Sequence, residues 1–508
     1  MKTSNSSKNV ILKLKAVSFK YLLMGGFLCS FSFLHGEKPP NILLIISDDL
    51  NTRIGPYMEI DQHTPNLDEL AKQGVRFSRA FCQYPICGPS RASLMSGLYP
   101  EANGVLVNND DPGSYKLETP ELADHPSMAG FFRENGYFTA RVSKIFHMGV
   151  PGGIERGEPG GDDPTSWDYA YNVMAPETQS PGELELLSPK NLHYGSNFAQ
   201  MVLEDGLEIT QADYLATNQA IAILENRLGK VAEGAKNKVK LKPDAPFFLA
   251  VGYVRPHVPF IAPERCFDPY PAEEMDLPPG IVDEDVPDAA LRRHNDKIWG
   301  MNEKQQRQTI AAYMASVKFM DEEVGRLLDA LDRLGAREET IVIFLSDHGY
   351  NLGEHECWSK VSLWEGSVRV PMIISHPSFK ETAGSVNHSI VELIDLYPTL
   401  TEFCGYDDET PNILQGESLV PLVRNPELHD RDKTAYIVSY KGKDGAIRTD
   451  RWKYHRWGKG IQDNNEELYD HKNDPEEHNN LAYDPDYSSI LKEMRKKFEK
   501  ARKDAVLN

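Results

Sequence analysis

Three short stretches of this chain run apolar on successive positions: residues 41–47 (NILLIIS), 247–254 (FFLAVGYV) and 340–346 (TIVIFLS). That pattern predicts strands buried on both faces, because a half-exposed strand would alternate. Over about residues 305–334 the period changes. Tyr313, Val317, Met320, Val324, Leu327, Leu331 and Leu334 recur at steps of three or four, which predicts a long amphipathic helix. A turn at Gly335 then leads into the third apolar stretch. A shorter helix is predicted over 67–73, opened by Thr64-Pro65-Asn66 and closed by Gly74. Helix followed by apolar strand, repeated, predicts an α/β fold with a largely parallel central sheet flanked by helices.

The remaining stretches read differently. Residues 108–240 are rich in Gly, Pro and acids and read as loops, placed around a cleft mouth. Residues 390–402 read as another helix. From about Thr434 the pieces shorten: 435–439, 445–449 and 452–457 look like strands, followed by Glu467-Leu468-Tyr469-Asp470 and a polar closing helix. This predicts a smaller C-terminal α+β domain, with boundaries at 37–430 and 431–508. A chain of 508 residues suits one large domain with a smaller one attached.

The first 36 residues form a unit of their own. Lys2, Lys8, Lys13, Lys15 and Lys20 precede an apolar run over 21–34, and no acid occurs before Glu37. This is the layout of a secretory signal peptide, and the run is short for a bilayer. The expectation is an exported protein, periplasmic or extracellular (or in a lysosomal-type lumen in a eukaryote), with no stable membrane anchor. Loss of the five leader lysines takes the formal charge from −21 to −26. So acidic a body argues against nucleic-acid binding. An anionic substrate would then need a locally basic pocket. Beyond Cys29 in the leader, the cysteines are Cys82, Cys87, Cys266, Cys357 and Cys404. They are too dispersed for a dense disulfide framework, and their odd number asks for a special role for one of them.

Two of the apolar stretches end alike, in Ser47-Asp48-Asp49 and in Ser346-Asp347-His348. Ligands of open α/β sheets collect beyond the carboxyl ends of strands, so these acids can meet at one edge. Such pairs are also common turn residues. Gathered together, the carboxylates would need a hard cation, Ca²⁺ or Mg²⁺. Cys87 precedes Pro89, which fits the first turn of a helix, so residue 87 lies where free N–H groups favour an anion.

The segment from Cys87 to Gly97 reads CGPSRASLMSG. It resembles the signature of the formylglycine-dependent sulfatases: Cys-x-Pro-Ser-Arg, three residues, then Met or a hydrophobic residue, Ser/Thr and Gly. SDDLN, TPNLDELAKQGVRF, CQYPICGPSRASLMSGLYP, SKIFH, LAVGYVRPHVPF, LSDHGYNLGEH and LWEGSVRVPMIIS resemble the iduronate-2-sulfatase-like group of that family. The resemblance implies an alkaline-phosphatase-like fold and hydrolysis of a sulfate ester on a sulfated saccharide, a 2-O-sulfated uronic acid being the sharpest expectation. A phosphomonoester or phosphonate hydrolase of the same superfamily is the alternative.

It further implies that a formylglycine-generating maturation enzyme converts Cys87 to formylglycine (3-oxoalanine), whose hydrate attacks sulfur with one oxygen and expels sulfate through the other. Asp48, Asp49, Asp347 and His348 would join residue 87 around Ca²⁺ or another divalent ion. Many sulfatases carry Asn where this chain has His348, and the iduronate-type group carries His. Arg91 would hold the diol, Lys144 the sulfate and diol oxygen, and Lys360 the sulfate. His147 would assist the second deprotonation and His257 protonate the leaving oxygen. Trp358 and Trp364, beside Lys360, read as core residues rather than sugar platforms.

Overall fold

A computed structural model describes residues 38–59, 62–189, 197–229, 245–293, 298–462 and 464–507. The expected signal peptide, residues 1–36, lies outside them.

The strands of the two principal sheets are numbered here in chain order. In the central sheet these are β1 (Asn41–Ser47), β2 (Val75–Phe81), β3 (Phe138–Ser143), β4 (Tyr169–Tyr171), β5 (Phe247–Gly252), β6 (Thr340–Ser346), β7 (Arg369–Val370), β8 (Met372–Ser375) and β9 (Val386–Glu392). Their order is β7-β2-β8-β6-β1-β5-β3-β4, with β9 beside β2. The block β6-β1-β5-β3-β4 is parallel throughout, whereas β8 is antiparallel to both its neighbours. Ile42 to Ile46 are fully buried, as their unbroken apolar pattern requires. Each such side chain contributes about 1.5–3 kcal/mol by leaving water.

Register positions the site. Ser47 pairs with Ser346 across β1 and β6, Ile46 pairs with Gly252 across β1 and β5, and Ser143 pairs with Gly252 across β3 and β5. Four adjacent parallel strands therefore end level with one another. The residues that follow them are Lys144, Tyr253, Asp48 and Asp347. Gly252 is required here, because a Cβ would stand 2.0 Å from the Lys144 carbonyl oxygen.

The helices used below are α1 (Pro65–Lys72), α2 (Cys87–Ser96), α3 (Ala212–Arg227), α4 (Glu303–Arg333), α5 (Leu396–Phe403) and α6 (Ser488–Asp504). α4 starts at a capping box between Asn302 and Gln305 and buries the predicted apolar stripe. The Tyr313 hydroxyl on α4 donates to the Asp49 carbonyl and accepts from the Asn51 N–H, so the helix braces the loop after β1. α2 is buried along its whole length. It ends at Gly97, whose φ of +70° provides the left-handed cap and whose missing Cβ leaves room for Leu414.

Two expectations are corrected. Residues 108–240 are not only loops: they supply β3, inside the central sheet, and the 16-residue α3. Residues 390–392 are not helical but complete β9, parallel to β2, and α5 begins only at Leu396.

The C-terminal strands β10 (Ala435–Ser439), β11 (Asp444–Arg448), β12 (Trp452–Arg456) and β13 (Glu466–Asp470) form an antiparallel meander. α6 packs Leu491, Met494 and Phe498 against Tyr436, Val438, Ile447, Tyr454 and Leu468. The Val438 N–H donates to the Gln83 carbonyl at 2.9 Å, which ties this small sheet to the segment entering α2. Among the described residues, no helix is long and apolar enough to cross a membrane. The five described cysteines are buried and unpaired.

Candidate active site

The carboxyl-end edge of β6-β1-β5-β3 meets the N-terminus of α2, and residue 87 is the first residue of that helix. Cys87 Sγ lies 3.3 Å from His348 Nε2, 3.2 Å from Lys360 Nζ and 3.9 Å from Asp49 Oδ1. Asp49 is also 3.2 Å from His348 Nε2, 2.8 Å from Lys360 Nζ and 3.9 Å from His257 Nε2. On the other side, Arg91 Nε lies 2.7 Å from Asp347 Oδ2 and Arg91 Nη2 3.4 Å from Asp48 Oδ1. Lys144 Nζ reaches Asp48 Oδ2 at 2.5 Å. Nine of the predicted site residues thus share one buried cluster: Asp48, Asp49, Cys87, Arg91, Lys144, His257, Asp347, His348 and Lys360. His147 stands one layer away, with Nδ1 2.8 Å from Asp110 Oδ1.

Burial and charge set the protonation states. Burial raises the pKa of Asp48, but Lys144, His257, Arg91 and Lys360 outweigh it and hold this carboxyl well below its ordinary range. Asp49 is lowered in the same way, against burial, chiefly by Lys360. For Asp347 burial wins over Arg91 and His348, and its pKa is raised. Burial, then Asp48, pushes the Cys87 thiol up, so an unmodified thiol here is protonated and a poor nucleophile. Burial, then Lys360, brings His257 down to about 3. Burial also lowers His147, against its bond to Asp110. Both His348 and His257 place Nδ1 against a backbone carbonyl, at 2.8 and 2.7 Å. A carbonyl only accepts, so Nδ1 carries the hydrogen and Nε2 turns its lone pair toward the cluster.

The cluster fits a divalent cation. Donor atoms of Asp48, Cys87, Asp347 and His348 lie within 4.8 Å of one another, and so do those of Asp48, Asp49, Cys87 and His257. Asp48 Oδ1 is buried with no hydrogen-bond partner, although its carboxyl is held ionised. This ionised oxygen has the Arg91 guanidinium at 3.4 Å but no hydrogen bond, so it is open to a cation, and mostly carboxylate ligands suit a hard one. Three side-chain cations face three carboxylates, so a net positive charge to draw an anion must come from the ion itself. Backbone strain concentrates here: Asp49, Ser143, Ser359 and Val361 have φ of 65°, 62°, 72° and 71°. Each costs about 1–3 kcal/mol and flanks or belongs to a cluster residue.

A profile of the family described as Sulfatase matches residues 40–406, more than half of the chain. The chain belongs to the sulfatase family. A second profile, N-sulphoglucosamine sulphohydrolase, C-terminal, matches this sulfatase over residues 353–504. The sulfatase is 30% identical to a "Sulfatase" of Formosa agariphila, over 94% of this chain and 90% of that protein. It is 31% identical to iduronate 2-sulfatase of Mus musculus, over 76% of this chain and 73% of that protein. Among solved structures, a 2-O GAG sulfatase shares the fold at a TM-score of 0.68 and 24% identity, covering 92% of this chain and 93% of that one. The phosphonate monoester hydrolase of Agrobacterium radiobacter shares it at 0.69 and 22%, covering 92% and 96%. The sulfatase is a sulfuric ester hydrolase with the alkaline-phosphatase-like architecture. Its family implies a formylglycine and a divalent metal. Sγ of Cys87 then stands where oxygen on the modified Cβ would be.

Several contributors were not anticipated. Asn108 Oδ1 accepts from the Gly88 N–H at 2.8 Å, at the first turn of α2. Asp110 is the partner of His147. Arg255, two residues before His257, is fully buried, lies 2.8 Å from Glu177 and donates to the Ile261 carbonyl at 3.2 Å. Asp213 accepts the Val254 and Arg255 N–H groups at 2.7 and 3.0 Å. Together these hold the loop that carries His257. Arg255 sits in the quoted RPHVPF stretch, so its position was a usable signal; Glu177 and Asp213 had none. Trp358 and Trp364 are buried in the core, as expected.

Proposed function

We propose that this sulfatase is exported, is matured at Cys87 to formylglycine and uses one Ca²⁺ to remove sulfate from a saccharide, a 2-O-sulfated uronate being the preferred class. The observation that carries the chemistry is the register of Ser47 with Ser346, which brings Asp48, Asp49, Asp347 and His348 to the residue that opens α2. The saccharide class rests on the relatives named iduronate 2-sulfatase and 2-O GAG sulfatase. Export rests on the basic leader with its apolar run.

The hydrated formylglycine supplies an oxygen nucleophile and a second hydroxyl through which sulfate can be released. Asp48, Asp49, Asp347 and His348 would hold the cation, which when bound would supply fixed positive charge beside residue 87. Arg91 fixes Asp347 and Asp48 from the helix side. Lys144 and Lys360 bind sulfate oxygens as charge develops on them, exchanging their present carboxylate partners for substrate. His257 protonates the leaving oxygen. This requires a proton on Nε2, so the negative charge of bound sulfate must raise a pKa that burial and Lys360 hold near 3. His147, kept in place by Asp110, takes the proton of the second hydroxyl.

The test is a paired assay of 4-nitrophenyl sulfate and 4-nitrophenyl phosphate, with mass spectrometry of the Cys87 peptide from the same preparation. The expected result is faster sulfate cleavage by protein whose residue 87 is an aldehyde. Faster phosphate cleavage would transfer the chain to the phosphoester and phosphonate hydrolases of the same fold.

A further inference from the structure

We propose that the turn at residues 440–443, together with Arg292, is a subsite for a negatively charged sugar residue adjoining the one that carries the scissile sulfate. This rests on the saccharide reading above and extends it to a second ring.

The turn joins β10 to β11, and Tyr440, Lys441 and Gly442 take left-handed φ of 48°, 62° and 69°. Three successive residues there make a sharp, outward-turned tip. Tyr440 is 50% exposed, in a protein that buries most of its aromatic rings. The Arg292 guanidinium lies 4.2 Å from the Tyr440 ring centroid, and Lys443 Nζ lies 5.6 Å from it. Cations over an aromatic face are attracted by its quadrupole, so the ring gathers both. Lys441 and Lys443 are exposed, and neither has an ion pair among the described residues. The nearby acid, Asp444, is buried and already engaged by Arg292 and by the Gly458 N–H. Two cations thus lie over one exposed ring, with the exposed Lys441 in the same turn, in a chain of net charge −21.

The patch borders the catalytic cluster. The Lys441 N–H donates to the Tyr84 hydroxyl at 2.9 Å, three residues before Cys87. Gly442 faces Leu106, two residues before the Asn108 that bonds Gly88. From the opposite side, the Val361 N–H, next to Lys360, donates to the Pro85 carbonyl at 3.0 Å. Arg292 belongs to the segment that runs from Pro278 and Gly280, packed against Gly353 and Glu356, toward Cys357. The turn therefore stands on the wall that carries Tyr84, and Arg292 joins it through the Tyr440 ring and Asp444. A guanidinium and two ammonium groups suit sulfate or carboxylate oxygens. A neutral sugar would gain little from them.

The test uses two unsaturated disaccharides with the same 2-O-sulfated uronate. One has N- and 6-O-sulfated glucosamine beside it, the other N-acetylglucosamine. Binding is measured by calorimetry on Cys87→Ala protein, which cannot turn them over, with and without Lys441→Ala/Lys443→Ala, and with Tyr440→Ala. The charged disaccharide should bind about tenfold more tightly than its counterpart, and the preference should fall to about twofold or less in both variants. No preference in the parent protein, or the same preference in the variants, overturns the subsite. Turnover of 4-nitrophenyl sulfate by the Cys87 enzyme separates the two proposals. If it is present while the disaccharides are not distinguished, the hydrolase reading stands and the subsite falls. If it is absent, the hydrolase reading falls, whatever the binding result.

Discussion

The cluster around Cys87 and the cluster around Lys453 contain the same kinds of side chain, yet they differ in how fully those groups are satisfied. Lys453 Nζ lies 3.1 Å from Glu365 and 2.7 Å from Glu477. Glu477 also takes His471 at 3.0 Å and the Glu365 N–H at 2.9 Å. Glu365, His471 and Glu477 are spaced closely enough to hold a metal ion. Their carboxylates have protein partners instead, and Lys453 supplies the positive charge. Around Cys87, Asp48 Oδ1 and Arg91 Nη2 face each other at 3.4 Å without a hydrogen bond, and four residues in or beside the cluster have left-handed backbones, where the Lys453 cluster has Glu477 at φ 60° and the unbonded Nε of Arg448. The first arrangement ties β12 and the loop after β13 to Glu365 in the main body. The second is left incomplete at the strand tips, where an ion and an anionic substrate can complete it. Buried charge alone does not mark a functional site; buried charged atoms left without hydrogen bonds at the tips of parallel strands are the better sign.

The sharpest way to break this contrast is at residue 87. Cys87→Ala should lower sulfatase turnover by about 10⁴-fold or more, with little change in melting temperature. Next come the two central cations. Arg91→Ala strands Asp48 and Asp347 and should cost about 3–5 kcal/mol of stability along with activity. Lys453→Met should cost stability on the same scale, yet leave kcat per folded molecule within about twofold, since its partners touch no reacting group. Denaturant melts with kcat corrected for folded fraction check both. A tenfold drop in kcat for Lys453→Met would erase the distinction.

A smaller effect is expected at Glu177→Gln, which removes the charge partner of Arg255 behind His257. We expect about a tenfold fall in kcat with KM nearly unchanged, read from steady-state kinetics. The smallest is a pH effect far from the site. Asp321 on α4 accepts the Asn66 and Leu67 N–H groups at 3.2 and 2.8 Å, at the first turn of α1, and burial raises its pKa to about 7. An acid raised in the folded state stabilises below its unfolded pKa, and that contribution is lost as pH rises through the folded value. Stability should therefore decline between about pH 4 and pH 7. Asp321→Asn should flatten that part of the urea-unfolding profile.

The sequence made β1, β5, β6 and α4 legible because each is either wholly apolar or strictly periodic. The acids at two strand ends were legible for the same reason, since a strand end is visible where the apolar run stops. β3 (FTARVS) was not, because it buries Thr139 and Arg141. Thr139 bonds the Ser166 carbonyl at 2.9 Å, and Arg141 pairs with Asp162 at 2.6 Å. Those partners lie in a Gly- and Pro-rich stretch that reads as loop. α3 was hidden because its polar and apolar residues are mixed around the helix. Residues 390–392 look helical in sequence because the end of β9 runs directly into the turn that opens α5. Glu177 meets Arg255 across 78 residues, a pairing that neither neighbourhood announces.

The most direct measurement is a crystal structure of natively matured protein, with anomalous scattering to locate and identify the ion. The expected map shows an oxidised side chain at residue 87 and one Ca²⁺ about 2.3–2.6 Å from oxygens of Asp48, Asp49 and Asp347. An active enzyme that keeps a thiol at residue 87, or whose ion sits at Glu365, His471 and Glu477 instead, would contradict the account.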